Sequence, residues 1–233
     1  MLDVIALDAD DTLWHNETSY LQATSRYGQL LSPYHSPEQV EQRLDELESQ
    51  NVPSYGYGIK SFTLSMIEAA IELTDGQITG SQIQEILDLG RQMLVADVPL
   101  FEHTEETLVK LSTAHDLMLI TKGDLFEQGK KVERSGLGKY FRYVEIVGEK
   151  TAATYRAILE RYQLDPERFL MVGNSMKSDI LPVLEIGGRA VFIPYEHTWL
   201  HERVLDGGIA TGGHFELEHL GQLPEFVEKL SRG

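Results

Sequence analysis

Two aspartates two residues apart, Asp8 and Asp10, stand at the end of the apolar run Val4-Ile5-Ala6-Leu7, with Asp11 and Thr12 directly behind them. A short apolar run that closes on charge reads as a buried parallel strand. The carboxyl end of such a strand is where open α/β sheets hold their ligands. Two carboxylates at i and i+2 there can converge on one metal-bound phosphate. One would act as nucleophile and the other as acid and base, beside a site for a hard cation. Acidic turns after strands are common, so the weight comes from three later segments. Leu117-Met118-Leu119-Ile120 closes on Thr121-Lys122-Gly123-Asp124, and Gly148-Glu149-Lys150 opens a helical stretch. Phe169-Leu170-Met171-Val172 then closes on Gly173-Asn174-Ser175-Met176-Lys177-Ser178-Asp179. Two further strand ends thus carry a hydroxyl and an acid or amide, with an isolated lysine between them.

The elements that must position these residues fall into two patterns. From Trp14 to about Asp97 the reading is helical. Ser36-Pro37-Glu38 reads as an N-cap, a first-turn proline and a first-turn acid, opening a helix to about Ser49. Asn51 to Gly58 reads as a loop by its Pro and Gly content. Ser61 is expected to cap a helix through Leu73, and Thr79-Gly80-Ser81 precedes another through Val95. Four helices with one buried face each predict a small bundle. From Val98 onward strands alternate with helices, which implies a parallel sheet covered on both faces. Strands are expected at 117–121, 143–146, 169–172 and 190–193. Helices are expected at about 104–114, 124–135, 151–162, 178–186 and 222–231. The fold class is α/β, a Rossmann-like parallel core interrupted after its first strand by an all-helical insert. The core is 1–14 with 97–233, and the insert is 15–96.

Four elements in this order resemble the haloacid dehalogenase-like hydrolase superfamily, and the D-x-D-x-T form resembles its phosphatases. The resemblance covers residues 1–14 and about 97–195. It implies that the insert is the helical cap that closes over the site. It implies Asp8 as the nucleophile that forms an aspartyl-phosphate, and Asp10 as the acid that protonates the leaving alkoxide and then takes a proton from water. Lys150 would neutralise the transferring phosphoryl group and steady Asp8. A lysine at a helix start lies against the helix dipole, which itself points to a role. Lys130 and Lys131 are rival lysines of lower rank, because they sit within a helix. Thr121 and the backbone of Lys122 would bind phosphoryl oxygens, with Asp11 grouped among the phosphate-binding residues. The implied cofactor is Mg2+, held by Asp8, Asp10 through its main-chain carbonyl, Asn174 and Asp179. Asp179 would be a direct ligand or hold a metal-bound water. Asn174 departs from the family form, which has Asp there. An amide oxygen can coordinate but brings no charge, so weaker metal binding, altered metal preference or reduced activity would result. Lys177 adds positive charge close by. The dehalogenases resembling this chain lack the acid that Asp10 supplies, which disfavours dehalogenation.

Selectivity is expected in the insert, where Tyr55-Gly56-Tyr57-Gly58-Ile59-Lys60 combines flexibility, aromatics and a cation. Tyr57 and Lys60 are the candidate substrate contacts. Trp14 and His15 fall at the core–cap junction. Tyr195-Glu196-His197-Thr198-Trp199 comes after the last clear strand, so it too can border the site. His197 reads as a loop histidine, and His214 and His219 as surface residues.

The chain has 37 Asp and Glu against 20 Lys and Arg, a net charge of -17. Nucleic acid and anionic membranes are therefore excluded as main partners, and local positive charge must come from metal and lysine. There is no cysteine among the 233 residues, so neither disulfides nor thiolate chemistry is available. No apolar stretch approaches a membrane span, and no basic leader precedes the first strand, so the expected compartment is the cytoplasm. The expected function is a Mg2+-dependent phosphomonoester hydrolase acting on a small phosphorylated metabolite. The alternatives are a phosphomutase, or a weakly active or non-enzymatic protein that binds a phosphorylated ligand or a protein partner. Monomer and homodimer are both open.

Overall fold

Each residue of β1 (Val4–Leu7) is buried, because helices cover both faces of the sheet that it centres. The computed structural model describes residues 2–196 and 213–232. β1 pairs in parallel with β2 (Asp116–Lys122) on one side and β4 (Phe169–Gly173) on the other. With β3 (Tyr143–Val147), β5 (Arg189–Phe192) and β6 (His214–Glu216) the order is β3-β2-β1-β4-β5-β6, all parallel. The chain runs outward from β1 in both directions, so the order reverses there and the crevice outside its carboxyl end is the expected ligand position. Leu7 lies level with Leu119 and Val172. That register brings Asp8, Thr121 and Asn174 to one edge of the sheet.

The alternation along the strands sorts into two layers. Ile5, Leu7, Leu119, Leu170 and Val172 pack with Trp14 and with Leu108 of α5 (Thr104–Ser112) and Val227 of α9 (Leu223–Arg232). Val4, Ala6, Met118, Ile120, Phe169 and Met171 pack against Tyr155, Ile158 and Leu159 of α7 (Ala152–Tyr162). The chain clusters into two compact units. The first comprises Met1–Glu17, Val98–Lys122 and Gln128–Gly233, and the second Thr18–Asp97 with Gly123–Glu127. The short segment Gly123–Glu127, which includes the start of α6 (Leu125–Ser135), thus groups with the helical unit and not with the sheet.

The helical unit carries α1 (Glu17–Leu31) from its second residue, α2 (Pro37–Tyr55), α3 (Ile59–Leu73) and α4 (Gly80–Val95). Its core joins Tyr27, Leu31, Val40, Leu44, Phe62, Met66 and Ile86, and the Tyr27 hydroxyl donates to Met66 O at 2.8 Å. Reciprocal caps start two helices: Ser36 with Gln39, and Thr79 with Gln82. Two local expectations fail. α2 runs through Pro53 to Tyr55 instead of ending near Ser49. Its last turns are tied to α3 by Asn51 Nδ2 to Glu68 (2.6 Å) and by the Tyr55 hydroxyl to Glu68 (2.9 Å). Those tertiary bonds offset the hydrogen bond that proline removes. α3 starts at Ile59 behind Gly58, whose φ of 108° suits glycine. Ser61 is therefore inside the helix, buried, and its hydroxyl lacks a partner among the described residues. In the sheet unit, the helix expected at 178–186 is a π turn, Met176–Ile180, followed by α8 (Leu181–Glu185). β6 has only three residues, too short to show a period in the sequence. Among the described residues no helix is long and apolar enough to cross a membrane.

Glu48 lies partly buried on α2, where desolvation and then Asp45 push its carboxyl up from 4.5 to about 7. A raised folded-state value means that the folded protein binds this proton more tightly than the unfolded chain. Its contribution to stability is present at low pH and is lost as pH rises from 4.5 to about 7. Denaturant titrations should find Glu48→Gln as stable as the parent near pH 4 and more stable at pH 8.

Candidate active site

Asp8 follows β1, with its N–H donating to Val172 O at 2.9 Å, and its carboxylate is buried. Lys150 Nζ donates to Asp8 Oδ1, and at 2.7 Å to Asp179 Oδ1. All three side chains are buried, with 2% of the Lys150 side chain, 1% of Asp179 and 9% of Asp8 exposed. Against the desolvation that burial imposes, Asp179 and Asp8 hold the Lys150 ammonium above its ordinary range. Burial pushes both carboxyls up and Lys150 pulls each back, while the charge of Asp8 raises Asp179 and that of Asp10 raises Asp8. Two carboxyl groups thus share one ammonium in a buried site.

The loop after β4 shapes the far side. Ser175 Oγ accepts from Ser178 N–H at 3.0 Å, and Ser175 N–H donates to Asp179 Oδ2 at 3.0 Å. The Tyr155 hydroxyl holds Ser178 O at 3.0 Å. Asp179, expected as a metal ligand or water holder, accepts from Lys150 on one oxygen and from the Ser175 N–H on the other.

Thr12 Oγ1 donates to Asp8 Oδ2 at 3.0 Å. The inward atom of the Asn174 amide lies 3.2 Å from Thr12 Oγ1 and 3.3 Å from both Asp8 Oδ2 and the main-chain oxygen of Asp10. With its nitrogen inward the amide shares its two hydrogens among these three acceptors. With its oxygen inward, it completes a cluster of oxygens of the kind a hard cation takes. Among the described residues no cluster of three His, Cys, Asp or Glu side chains could hold a metal. A cation here would draw on Asp8, the Asp10 carbonyl and the Asn174 amide, and these donors fit Mg2+ in type.

Asp10 faces a different set of partners. Trp14 Nε1 donates to its Oδ1 at 2.6 Å. Lys131 Nζ reaches Oδ1 at 2.9 Å and Oδ2 at 2.8 Å. Gln128 Nε2 reaches Oδ2 at 3.0 Å and also Thr121 Oγ1 at 2.5 Å. Lys131, ranked low from the sequence as a partner of the phosphoryl group, is buried on the second carboxylate, whereas Lys130 is exposed and pairs with Glu133.

Asp11 is not placed as a phosphate contact. It sits at φ 60°, in the left-handed region, with its carboxylate accepting from Asn16 N–H (2.9 Å) and Glu17 N–H (3.1 Å). Burial pushes its carboxyl up to about 7 against those two bonds. It caps the start of α1. Thr121 is the penultimate residue of β2, with its hydroxyl buried beside Gln128, and Lys122 is the last. Lys177 lies in the π turn. Tyr57 and Lys60 belong to the helical unit, where Lys60 Nζ pairs with Asp124 at 2.8 Å. Trp14 is fully buried in the sheet core, and its indole N–H holds Asp10. His15 makes a tilted ring contact with Phe101, 3.8 Å between ring centres. Tyr195 and Glu196 are described, but His197, Thr198 and Trp199 lie outside the described residues. His214 is half-buried in β6 and not on the surface as expected, while His219 is exposed.

With this geometry in place, a model of the haloacid dehalogenase-like hydrolase family matches residues 2–187. The chain belongs to the haloacid dehalogenase-like hydrolases. A family hydrolase from Xanthomonas campestris is 36% identical and superposes with a TM-score of 0.88, covering 99% of this chain and 92% of that one. Glyceraldehyde 3-phosphate phosphatase of Methanothermobacter thermautotrophicus is 26% identical over 211 residues, 85% of this chain and 88% of the relative. N-acylneuraminate-9-phosphatase of Rattus norvegicus is 23% identical over 215 residues, 86% and 83% of the two chains.

In this hydrolase sequence reasoning passed over Gln128 and ranked Lys131 low. They stand three apart, on one face of α6, at the end of the strand that carries Thr121. That spacing was the available signal. Gly173 is the other constraint, because a Cβ there would stand 2.2 Å from Asp179 Oδ2. Gly173→Ala should displace Asp179 and free Lys150. Denaturant unfolding should show a loss of about 1–3 kcal/mol.

Proposed function

We propose that this hydrolase is a Mg2+-dependent phosphatase that cleaves small phosphomonoesters through a phosphorylated Asp8. The observation that carries the reading is a buried carboxylate at the end of the central strand, with one oxygen on Lys150 and the other on Thr12 beside Asn174. A second carboxylate, Asp10, stands two residues later. Two relatives named as phosphatases support the same chemistry.

Asp8 attacks phosphorus, forming an acyl-phosphate bond while the ester oxygen departs. Asp10 gives that oxygen a proton and later takes one from the water that opens the acyl-phosphate. Lys150, its charge held by Asp179, stabilises the phosphoryl oxygens. The Thr121 hydroxyl accepts from Gln128, so its own proton is left to donate to a phosphoryl oxygen, and the Lys122 N–H is assigned a second donation. Asp8, the Asp10 carbonyl and Asn174 would hold a cation, which would supply positive charge beside the phosphoryl group. Substrate selection is assigned to the helical unit, acting as the cap, through Tyr57 and Lys60. We assign the enzyme to the cytoplasm and to metabolite substrates.

Phosphate release from a panel of phosphorylated metabolites with Mg2+ tests the reading. The parent should turn over at least one ester, and Asp8→Asn should lose at least about a thousandfold in kcat. Release that persists in Asp8→Asn would refute the assignment. Asn174→Asp adds a ligand charge and should tighten the Mg2+ activation constant roughly tenfold, about 1.4 kcal/mol. A Mg2+ titration of turnover reads this directly.

A further inference from the structure

Lys131 is a second buried lysine that the two phosphoryl-transfer steps do not use. All three of its ammonium donors are placed: on Asp10 Oδ1 at 2.9 Å, Asp10 Oδ2 at 2.8 Å and Asn16 Oδ1 at 2.9 Å. Removing an ammonium from water is expensive, and an ion pair of this kind does not repay it as a stability device better than packed apolar groups would. The geometry adds something that packing could not. An ammonium spanning both oxygens fixes the plane of the carboxylate.

The remaining partners complete the restraint. A carboxylate offers about four acceptor positions. In Asp10 they are taken by Trp14 on Oδ1, Gln128 on Oδ2 and Lys131 on both. Gln128 spends its other amide hydrogen on Thr121 Oγ1. The residue that holds the proton-transfer group therefore also sets the direction of the hydroxyl assigned to the phosphoryl group.

We propose that Lys131 and Gln128 are positioning residues, which together aim the Asp10 carboxylate at the leaving-group oxygen and turn the Thr121 hydroxyl towards the phosphoryl group. The inference rests on the phosphatase reading. Lys131 fixes the carboxylate plane. Gln128, neutral and shared with Thr121, is the donor that yields one Asp10 oxygen when that oxygen carries the proton. In the first step the phosphorus–oxygen ester bond breaks, the Asp8–phosphorus bond forms and the proton moves from Asp10 to the departing alkoxide. In the second, water adds to phosphorus, its proton goes to Asp10 and the Asp8 carboxylate is released.

A leaving group that departs without a proton makes the test selective. kcat/KM reports every step up to formation of the phosphorylated Asp8. It is measured with Mg2+ on the best alkyl ester of the metabolite panel and on p-nitrophenyl phosphate, whose phenolate needs little protonation. In Lys131→Met the alkyl ester should lose about ten- to a hundredfold, the cost of misplacing a catalytic group by an ångström or less. The aryl ester should stay within about threefold. Lys130→Ala, on the exposed neighbour, should leave both unchanged. Gln128→Leu should shift the alkyl-to-aryl ratio in the same direction, and it carries the test if melting shows Lys131→Met unfolded. Equal losses on the two esters in folded variants would overturn the inference and leave Lys131 a structural ion pair. A parent enzyme that hydrolyses neither ester would overturn the phosphatase reading itself.

Discussion

One ammonium organises the site. Lys150 is buried between Asp8 and Asp179, with 2% of its side chain exposed. A charge in that position is costly unless it is paired and hydrogen-bonded. The surrounding structure supplies the pairing. The β1 end presents Asp8, Thr151 caps α7 directly after the lysine, and the turn behind β4 aims Asp179 with its own main chain. Gly173 is small because Asp179 occupies the space a side chain would need. The parallel register that sets Leu7 level with Val172 is what makes these distances possible.

The second carboxylate is solvated by protein in another way. Asp10 receives a cation, an indole N–H and an amide, all from the sheet unit. The two aspartates are two residues apart yet have separate lysines, reached from different segments of the chain. This division of partners lets neighbouring carboxylates take different roles, one attacking phosphorus and the other moving a proton. The Asn174 amide and Thr12 stand where the two meet, next to Asp8 Oδ2 and the Asp10 carbonyl.

Much of this is legible in the sequence, for identifiable reasons. Buried parallel strands are short apolar runs, so the ends of β1, β2 and β4, and with them Asp8, Thr121 and Asn174, are visible from composition alone. Lys150 stands out because it precedes a helix, where a cation is unfavourable. What the pattern hides is set by tertiary contact. The partners of Asp179, Lys150 and Ser175 N–H, are chosen by the turn and not by spacing. Asp11 looks like part of the acidic cluster, but its left-handed backbone turns its carboxylate to the start of α1. Lys131 reads as an ordinary helix lysine because a single sequence does not say which face of α6 meets Asp10. The extension of α2 past Pro53 depends on bonds to Glu68 in another helix, beyond any local rule.

The central claim is that Asp8 itself becomes phosphorylated, and it can be seen as a covalent bond. Rapid acid quench during turnover, borohydride reduction of acyl-phosphates and peptide mapping by mass spectrometry would locate the modified residue. The account predicts modification at Asp8 alone, appearing within the first turnover and absent in Asp8→Asn. Modification at Asp10, or hydrolysis that proceeds with no acyl-phosphate at any residue, would contradict it.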